Sequence, residues 1–317
     1  MSWISFRKIF DLPNLRIFIN ATRIDETHAD AVADLRKVLG CLRKNDRIIW
    51  LTFWHADQAY FDSAAAFFRE ASVLSLDHIW VMGNTFEETN AALRAGFRAA
   101  WVNHNAWLDE RLIFPKSVKK EFRAVMVSQL VSYKRVHLAA KIKQLAVIPS
   151  RRFPIHQEVD ISHFVDARRF DGIKMDEVMN IINASRVGLI LSAVEGACYS
   201  SSEYLLNGIP VVSTPSLGGR DVFYNDYNSL IVEPDENEVC KGVEKIINRR
   251  VDPMRIFQDH VGISKTMRQT FITEVLGRIF NEEQVSENPN MVFESIFSHK
   301  MISYVPVPEA MTLVTKT

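Results

Sequence analysis

Two glutamates eight residues apart, Glu195 and Glu203, lie in the stretch of this chain richest in chemistry-bearing residues. Residues 187–222 read V-G-L-I-L-S-A-V-E-G-A-C-Y-S-S-S-E-Y-L-L-N-G-I-P-V-V-S-T-P-S-L-G-G-R-D-V. The apolar run at 187–192 reads as a buried strand. Glu195 follows it in a loop, at the carboxyl end where open α/β sheets take up ligands. Gly196 and Ala197 are small enough for a ligand to approach the backbone. A helix opening after them presents free N–H groups and the positive end of its dipole, a site for phosphate oxygens. Glu203 lies about one turn into that helix, where its carboxylate can accept bonds from two ribose hydroxyls. Asn207-Gly208 stops the helix, residues 209–213 form a second strand, and Gly218-Gly219 can supply further backbone donors. This order of groups suits a nucleoside diphosphate sugar. The plain alternative is a βαβ unit with two solvated glutamates.

These residues need a framework of alternating strands and helices, and the pattern supplies one. In the first half, strands are expected at 15–20, 47–53, 78–82 and 97–102, with helices at 27–42, 58–73 and 84–95 between them. In the second half, strands are expected at 122–130, about 164–166, 187–192, 209–213 and 229–232. The intervening helices fall at 133–144, 174–184, 200–206 and 236–248. Such alternation means parallel sheets with crossover helices on both faces. A domain boundary is expected near 115–121. Residues 1–120 form a first domain, 121–285 a second, and 286–317 a tail without clear periodicity.

The E-x7-E arrangement, with the G-I-P-V-V strand and the Gly-Gly loop behind it, resembles the signature of retaining glycosyltransferase family 4. The resemblance spans roughly residues 47–285 and is firmest over 122–248. It implies the GT-B fold: two Rossmann-like α/β domains whose parallel sheets face each other across a cleft, with residues 115–121 as the hinge. It implies that Glu195 contacts the donor sugar and Glu203 the ribose, while the backbone of Gly196, Ala197, Cys198 and Tyr199 lines sugar and phosphate. Residues 125–138 (V-M-V-S-Q-L-V-S-Y-K-R-V-H-L) match the family's strand-to-helix turn. Lys134 falls on the lysine that neutralises the leaving diphosphate. Gln129 occupies the position of the family's arginine, and Arg135 replaces the glycine after the lysine. Arg135 and Arg220 are therefore candidates for the missing cation. Residues 48–55 (I-I-W-L-T-F-W-H) resemble the strand that ends in a histidine near the acceptor, which makes His55 the catalytic candidate of the first half. Val102-Asn103-His104-Asn105 stands where relatives have an Asn-Gly step. The opening strand with a Gly-rich loop has no counterpart here, so the first domain reads as shortened.

The implied reaction is sugar transfer with retention from a nucleoside diphosphate sugar, UDP- or GDP-linked, to a glycan or lipid-linked acceptor. It needs no cofactor. No D-x-D motif sits at a strand end, so no essential metal is expected. The alternatives are a non-catalytic nucleotide-sugar-binding partner of a transferase and a nucleotide-sugar epimerase. A dinucleotide oxidoreductase lacks its G-x-G-x-x-G.

Composition narrows the classes further. The 317 residues suffice for two domains. Thirty-eight basic and 38 acidic side chains give no net charge to draw nucleic acid. Three scattered cysteines, Cys41, Cys198 and Cys240, offer no C-x-x-C pair, and an odd, sparse set fits a reducing cytoplasmic compartment. Residues 1–12 hold aromatic and aliphatic side chains around Arg7 and Lys8. They read first as a segment docked on its own domain, and second as a helix resting peripherally on the inner face of a membrane.

Overall fold

The computed structural model describes residues 3–150 and 157–315. Met1 and Ser2 of the amino-terminal segment, and residues 316–317 of the expected tail, lie outside them. The chain divides into two compact units, Met1–Trp107 with Ser264–Thr317, and Leu108–Ile263. Each is an α/β unit around one six-stranded, mostly parallel sheet. The division differs from the expected 1–120, 121–285 and 286–317: the break falls before Leu108, and residues 264–317 belong to the first unit.

The first unit runs β1 (Trp3–Leu12), β2 (Leu15–Asn20), α1 (Ala29–Leu39), β3 (Arg47–Leu51), α2 (Gln58–Ala71), β4 (Ile79–Gly83), α3 (Phe86–Arg94) and β5 (Arg98–Trp101). Strands β2 to β5 are parallel neighbours, and β1 pairs with β2 antiparallel. β3 is buried along its whole length, as a strand covered on both faces must be. Asp57 and Thr85 cap α2 and α3 by accepting N–H bonds from Tyr60 and Glu88. Trp50 of β3 centres the core, with the rings of Phe61, Phe68 and Phe97 at 5.4 to 6.1 Å.

The second unit runs β6 (Phe122–Ser128), β7 (Leu145–Pro149), β8 (Ala167–Arg169), α4 (Met175–Asn183), β9 (Ser185–Ile190), α5 (Tyr199–Leu206), β10 (Val211–Ser213), β11 (Ser229–Ile231) and α6 (Glu236–Ile247). Its sheet order is β11-β10-β9-β6-β7-β8, and every pair is parallel. From β6 the chain builds outward through β7 and β8. It then returns to the other side of β6 for β9, β10 and β11. The strand order therefore switches between β6 and β9, the place where an open parallel sheet leaves a crevice at its carboxyl edge.

Helix α7 (Pro253–Thr270) begins in the second unit and ends in the first. A π-helical turn (Phe271–Leu276), α8 (Gly277–Glu282), α9 (Pro289–Ile296), β12 (Tyr304–Pro306) and α10 (Val307–Thr315) follow. The expected tail is thus built into the first unit. β12 pairs antiparallel with β1, and Ala310 and Val314 of α10 are buried in the core. The buried Arg16 guanidinium pairs with Asp46 at 2.6 Å and donates to the Val314 carbonyl at 2.7 Å.

Two further expectations are corrected. Residues 133–144 do not form an α-helix. They make two short 3-10 turns, Ser132–Lys134 and Val136–Ala139, because Arg135 turns left-handed between them (φ 51°). Val136, Leu138, Ala139, Ala140 and Ile142 are buried on more than one side, and the L-A-V-I-P run after them becomes β7. The amino-terminal segment is strand β1, not a membrane-surface helix. Its backbone is tied to β2 and β12, and Ile4, Phe6 and Ile9 are buried. No helix among the described residues is long and apolar enough to cross a membrane.

Candidate functional site

In the second unit, a small cleft opens at the carboxyl ends of β6 and β9, at the switch point of the sheet. Gln129, Lys134, Ser192, Glu195, Cys198 and Ser200 are among its lining residues. Two loops build it. The loop after β6 carries Gln129 and Lys134, and is braced by a bond from the Tyr133 hydroxyl to Gln129 Oε1 (3.2 Å). The Ala193 N–H donates to the Tyr133 carbonyl (3.0 Å), which joins this loop to the one after β9.

The β9 loop is in turn laced to residues 216–219. The Glu195 N–H donates to the Leu217 carbonyl (2.9 Å), Leu217 N–H to Ala193 (3.0 Å), and Gly219 N–H to Gly196 (2.8 Å). Gly218 holds φ +103°, and a Cβ there would stand 1.6 Å from the Glu195 carbonyl oxygen. The Gly-Gly loop therefore supports Glu195 from behind. Gly219 gives its N–H to Gly196 rather than offering it to a ligand.

Helix α5 starts directly after the loop, from a left-handed Cys198 (φ 57°). Its placement rests on Tyr204, which is fully buried. The Tyr204 hydroxyl accepts the Val127 N–H at 2.6 Å, and its ring lies where a Cβ on Gly188 would be, 2.1 Å away. Glycine in the middle of β9 thus lets the helix close on the sheet. Tyr199 is half-buried at the helix start, while Gly196, Ala197 and Glu203 are buried.

Within the cleft the Lys134 ammonium is bonded to Glu195 Oε1. The side chains are 15% and 7% exposed, so the pair is largely shielded from water. Burial pulls the Lys134 pKa down, but the Glu195 carboxylate beside it outweighs this and the net shift is upward. Burial, followed by the Glu195 charge, pushes the Cys198 thiol up to about 12, so it stays protonated at neutral pH and is no nucleophile.

The structure brings Glu195, Lys134, Gln129 and Cys198 together, and it sets the two arginine candidates aside. Arg220 is 0% exposed. Its guanidinium donates to the Ser192 carbonyl (2.9 Å), the Ser192 hydroxyl (3.1 Å), the Ile190 carbonyl (3.3 Å) and the Thr214 carbonyl, and its Nε to Asp221 (2.9 Å). It clamps the ends of β9 and β10, and it does not line the cleft. Arg135 reaches the Pro215 carbonyl at 3.4 Å and does not line the cleft. Ser192 and Ser200 line it unforeseen. The rule that ligands sit at carboxyl strand ends could have flagged Ser192, the residue two places beyond β9.

His55 lies in the first unit, beyond the carboxyl end of β3. Its Nδ1 is 3.4 Å from Glu88 Oε1, and Glu88 is 1% exposed. Glu88 was not singled out by sequence. It accepts the N–H groups of Ala56 (3.3 Å) and Asn84 (2.8 Å), and its carboxylate beside His55 raises the imidazole pKa, only partly offset by burial. Asn103 donates to the Asn84 carbonyl (3.0 Å), a structural tie at the same strand ends. His104 is buried, and desolvation lowers its pKa to about 3. Among the described residues, no group of three or more His, Cys, Asp or Glu is placed to hold a metal ion.

No family model matches the chain, and no curated protein matches its sequence. Solved structures do resemble it. Sucrose-phosphate synthase from Thermosynechococcus elongatus is 14% identical, with a TM-score of 0.53 over 80% of this chain and 71% of that one. HepE from Anabaena, solved with UDP, is 14% identical, with a TM-score of 0.51 over 81% and 85%. TarM from S. aureus is 11% identical, with a TM-score of 0.57 over 79% of this chain but only 53% of its own length. These structures are GT-B glycosyltransferases, and the two mostly parallel sheets of this chain match that fold.

Proposed function

We propose that the chain is a retaining glycosyltransferase that moves a sugar from a nucleoside diphosphate sugar to a glycan or lipid-linked acceptor. It would serve polysaccharide or glycolipid synthesis on the cytoplasmic side of the membrane. The observation that carries the reading is the Lys134–Glu195 pair at the switch-point cleft, directly before helix α5. The donor diphosphate takes the Lys134 ammonium and the first N–H groups of α5. The donor sugar lies against Glu195, and Glu203 serves the ribose. The acceptor oxygen bonds to the anomeric carbon on the face from which the diphosphate oxygen leaves, and the acceptor proton passes to that leaving oxygen. Catalysis is then mostly positioning and stabilisation of the departing charge. His55, held by Glu88, is the candidate for orienting an acceptor or sugar hydroxyl. UDP is the first base to test, since HepE was solved with it. The test is hydrolysis of UDP-, GDP- and dTDP-sugars in EDTA. One donor should be hydrolysed slowly by the wild type and not by Glu195→Ala. No hydrolysis and no nucleotide binding would remove the reading.

A second reading, a non-catalytic nucleotide-sugar-binding partner of a transferase, is favoured by the cation count. With Gln129 in the arginine position and Arg220 engaged in the fold, Lys134 is the one Lys or Arg among the described residues lining the cleft. Binding of a nucleotide sugar without turnover on any acceptor would support that reading.

A further inference from the structure

We propose that the Lys134–Glu195 ion pair is a latch that makes this site prefer the intact nucleotide sugar to the spent nucleoside diphosphate. The inference rests on the donor-site reading above and adds to it a basis for discrimination and product release.

The latch follows from three features. Both side chains are largely shielded, so neither charge can lose its partner without finding another. Their backbones are fixed against each other: Tyr133 accepts the Ala193 N–H, and Glu195 is tied to Leu217 behind it. The carboxylate is thus the more enclosed of the two groups, and the longer lysine stem has the greater reach. Finally, no second Lys or Arg among the described lining residues can take Lys134's place on either side of the exchange.

A nucleoside diphosphate that engages Lys134 must share this single cation with Glu195, which weakens the ammonium's hold on the carboxylate. The buried carboxylate is then left facing phosphate oxygens of its own sign. An intact donor resolves this conflict, because the sugar brings hydroxyls that donate to Glu195 as Lys134 turns to the diphosphate. Once the sugar has been transferred, those donors are gone. Lys134 returns to Glu195, and the diphosphate loses its cation. The pair thus couples departure of the sugar to departure of the nucleotide.

Substituting Glu195 by Gln removes the charge but keeps the shape. Free nucleoside diphosphate then meets an uncommitted ammonium and should bind about tenfold tighter or more, the scale of a close buried charge pair. The nucleotide sugar exchanges a charged acceptor for the weaker amide oxygen of Gln, which offsets the freed ammonium, and it should bind no tighter. The wild-type order of preference should therefore reverse.

The experiment has two parts. A double-mutant cycle of Glu195→Gln and Lys134→Met, read by urea denaturation of the ligand-free chain, should be non-additive. Calorimetry of wild type and Glu195→Gln with UDP, UDP-glucose, GDP and GDP-mannose should give the reversal. An additive cycle overturns the latch whatever the nucleotides do. A non-additive cycle with no nucleotide bound to either protein overturns the donor-site reading, and the latch's role with it. Nucleoside diphosphate affinity unchanged or weakened in Glu195→Gln overturns the latch while leaving the donor site standing.

Discussion

Replacing Gly218 by Ala should loosen the frame that holds Glu195. Two separate effects act. The φ of +103° lies in a region nearly reserved for glycine, and an L-residue there is strained by about 1–3 kcal/mol. The new Cβ would also stand 1.6 Å from the Glu195 carbonyl oxygen, so the 193–196 and 216–219 loops must part. Parting breaks three backbone bonds, from Glu195 to Leu217, Leu217 to Ala193 and Gly219 to Gly196. At about 1 kcal/mol net each, these add about 3 kcal/mol. If the loops part while residue 218 keeps its φ, strain and lost bonds together cost about 4–6 kcal/mol, a large part of a typical domain stability of about 5–15 kcal/mol. If the loop peels off, the strain relaxes and about 3 kcal/mol remains. Urea denaturation measures the loss. Gly262→Ala is the control, because a Cβ on Gly262 meets nothing within 4 Å and alanine favours its helix, so it should be neutral or stabilising by up to about 1 kcal/mol. Calorimetry with UDP-glucose on the folded variant then reads the site itself, whose affinity for the intact nucleotide sugar should fall. A Gly218→Ala chain that melts and binds like wild type would refute the idea that this glycine sets the position of Glu195.

Other predictions follow from the same framework. Arg220→Met should destabilise the second unit by about 3–5 kcal/mol, because it takes the buried guanidinium from the Ser192 and Thr214 carbonyls and from Asp221. Molecules that remain folded should keep their nucleotide affinity in calorimetry, and a selective loss of affinity without loss of stability would restore the phosphate role. Two histidines of the first unit, His104 and His55, should shape pH dependence with opposite signs. His104 has its folded pKa lowered to about 3, so the unfolded chain binds the proton first. Its contribution is present above about pH 6.5 and is lost as pH falls toward 3, at up to about 1.4 kcal/mol per pH unit. His55 is raised by Glu88, so its contribution is full below about pH 6.5 and is lost as pH rises through its folded pKa. Denaturation midpoints across pH should show a flatter acid limb in His104→Gln and a flatter alkaline limb in His55→Gln. Limbs identical to wild type would contradict both assignments.

Much of the fold was legible because its elements are local. The apolar run at 47–53, the helices capped by Asp57 and Thr85, and the strand–loop–helix around Glu195 each declare themselves within a dozen residues. What was not legible depends on distant partners. The last segment shows no periodicity of its own; β12 is a strand because β1 is its neighbour, and α10 is anchored by Arg16 from the far end of the chain. The 133–144 stretch carries helical spacing, yet it is buried on more than one side, and tertiary packing overrides the weak local preference. The arginine after the Gly-Gly loop reads in sequence as a ligand. Its burial follows from carbonyls contributed by the ends of β9 and β10, which no local pattern around Arg220 announces.

The same distinction decides what the E-x7-E spacing means. Eight residues place Glu203 about one turn into α5, and that much is helix geometry. They say nothing about where the Glu195 carboxylate points. Its direction is set by Gly218 behind it, by the bond to Leu217, and by Lys134 arriving from the loop after β6. A chain with the same two glutamates but an alanine at 218 would keep the motif and misplace the group. A chain with a second cation in the cleft would keep both glutamates and lose the exclusive pairing from which the latch is inferred. Chemistry at this site is therefore a property of the two linked loops at the switch point, and the paired glutamates signal it only when those loops accompany them.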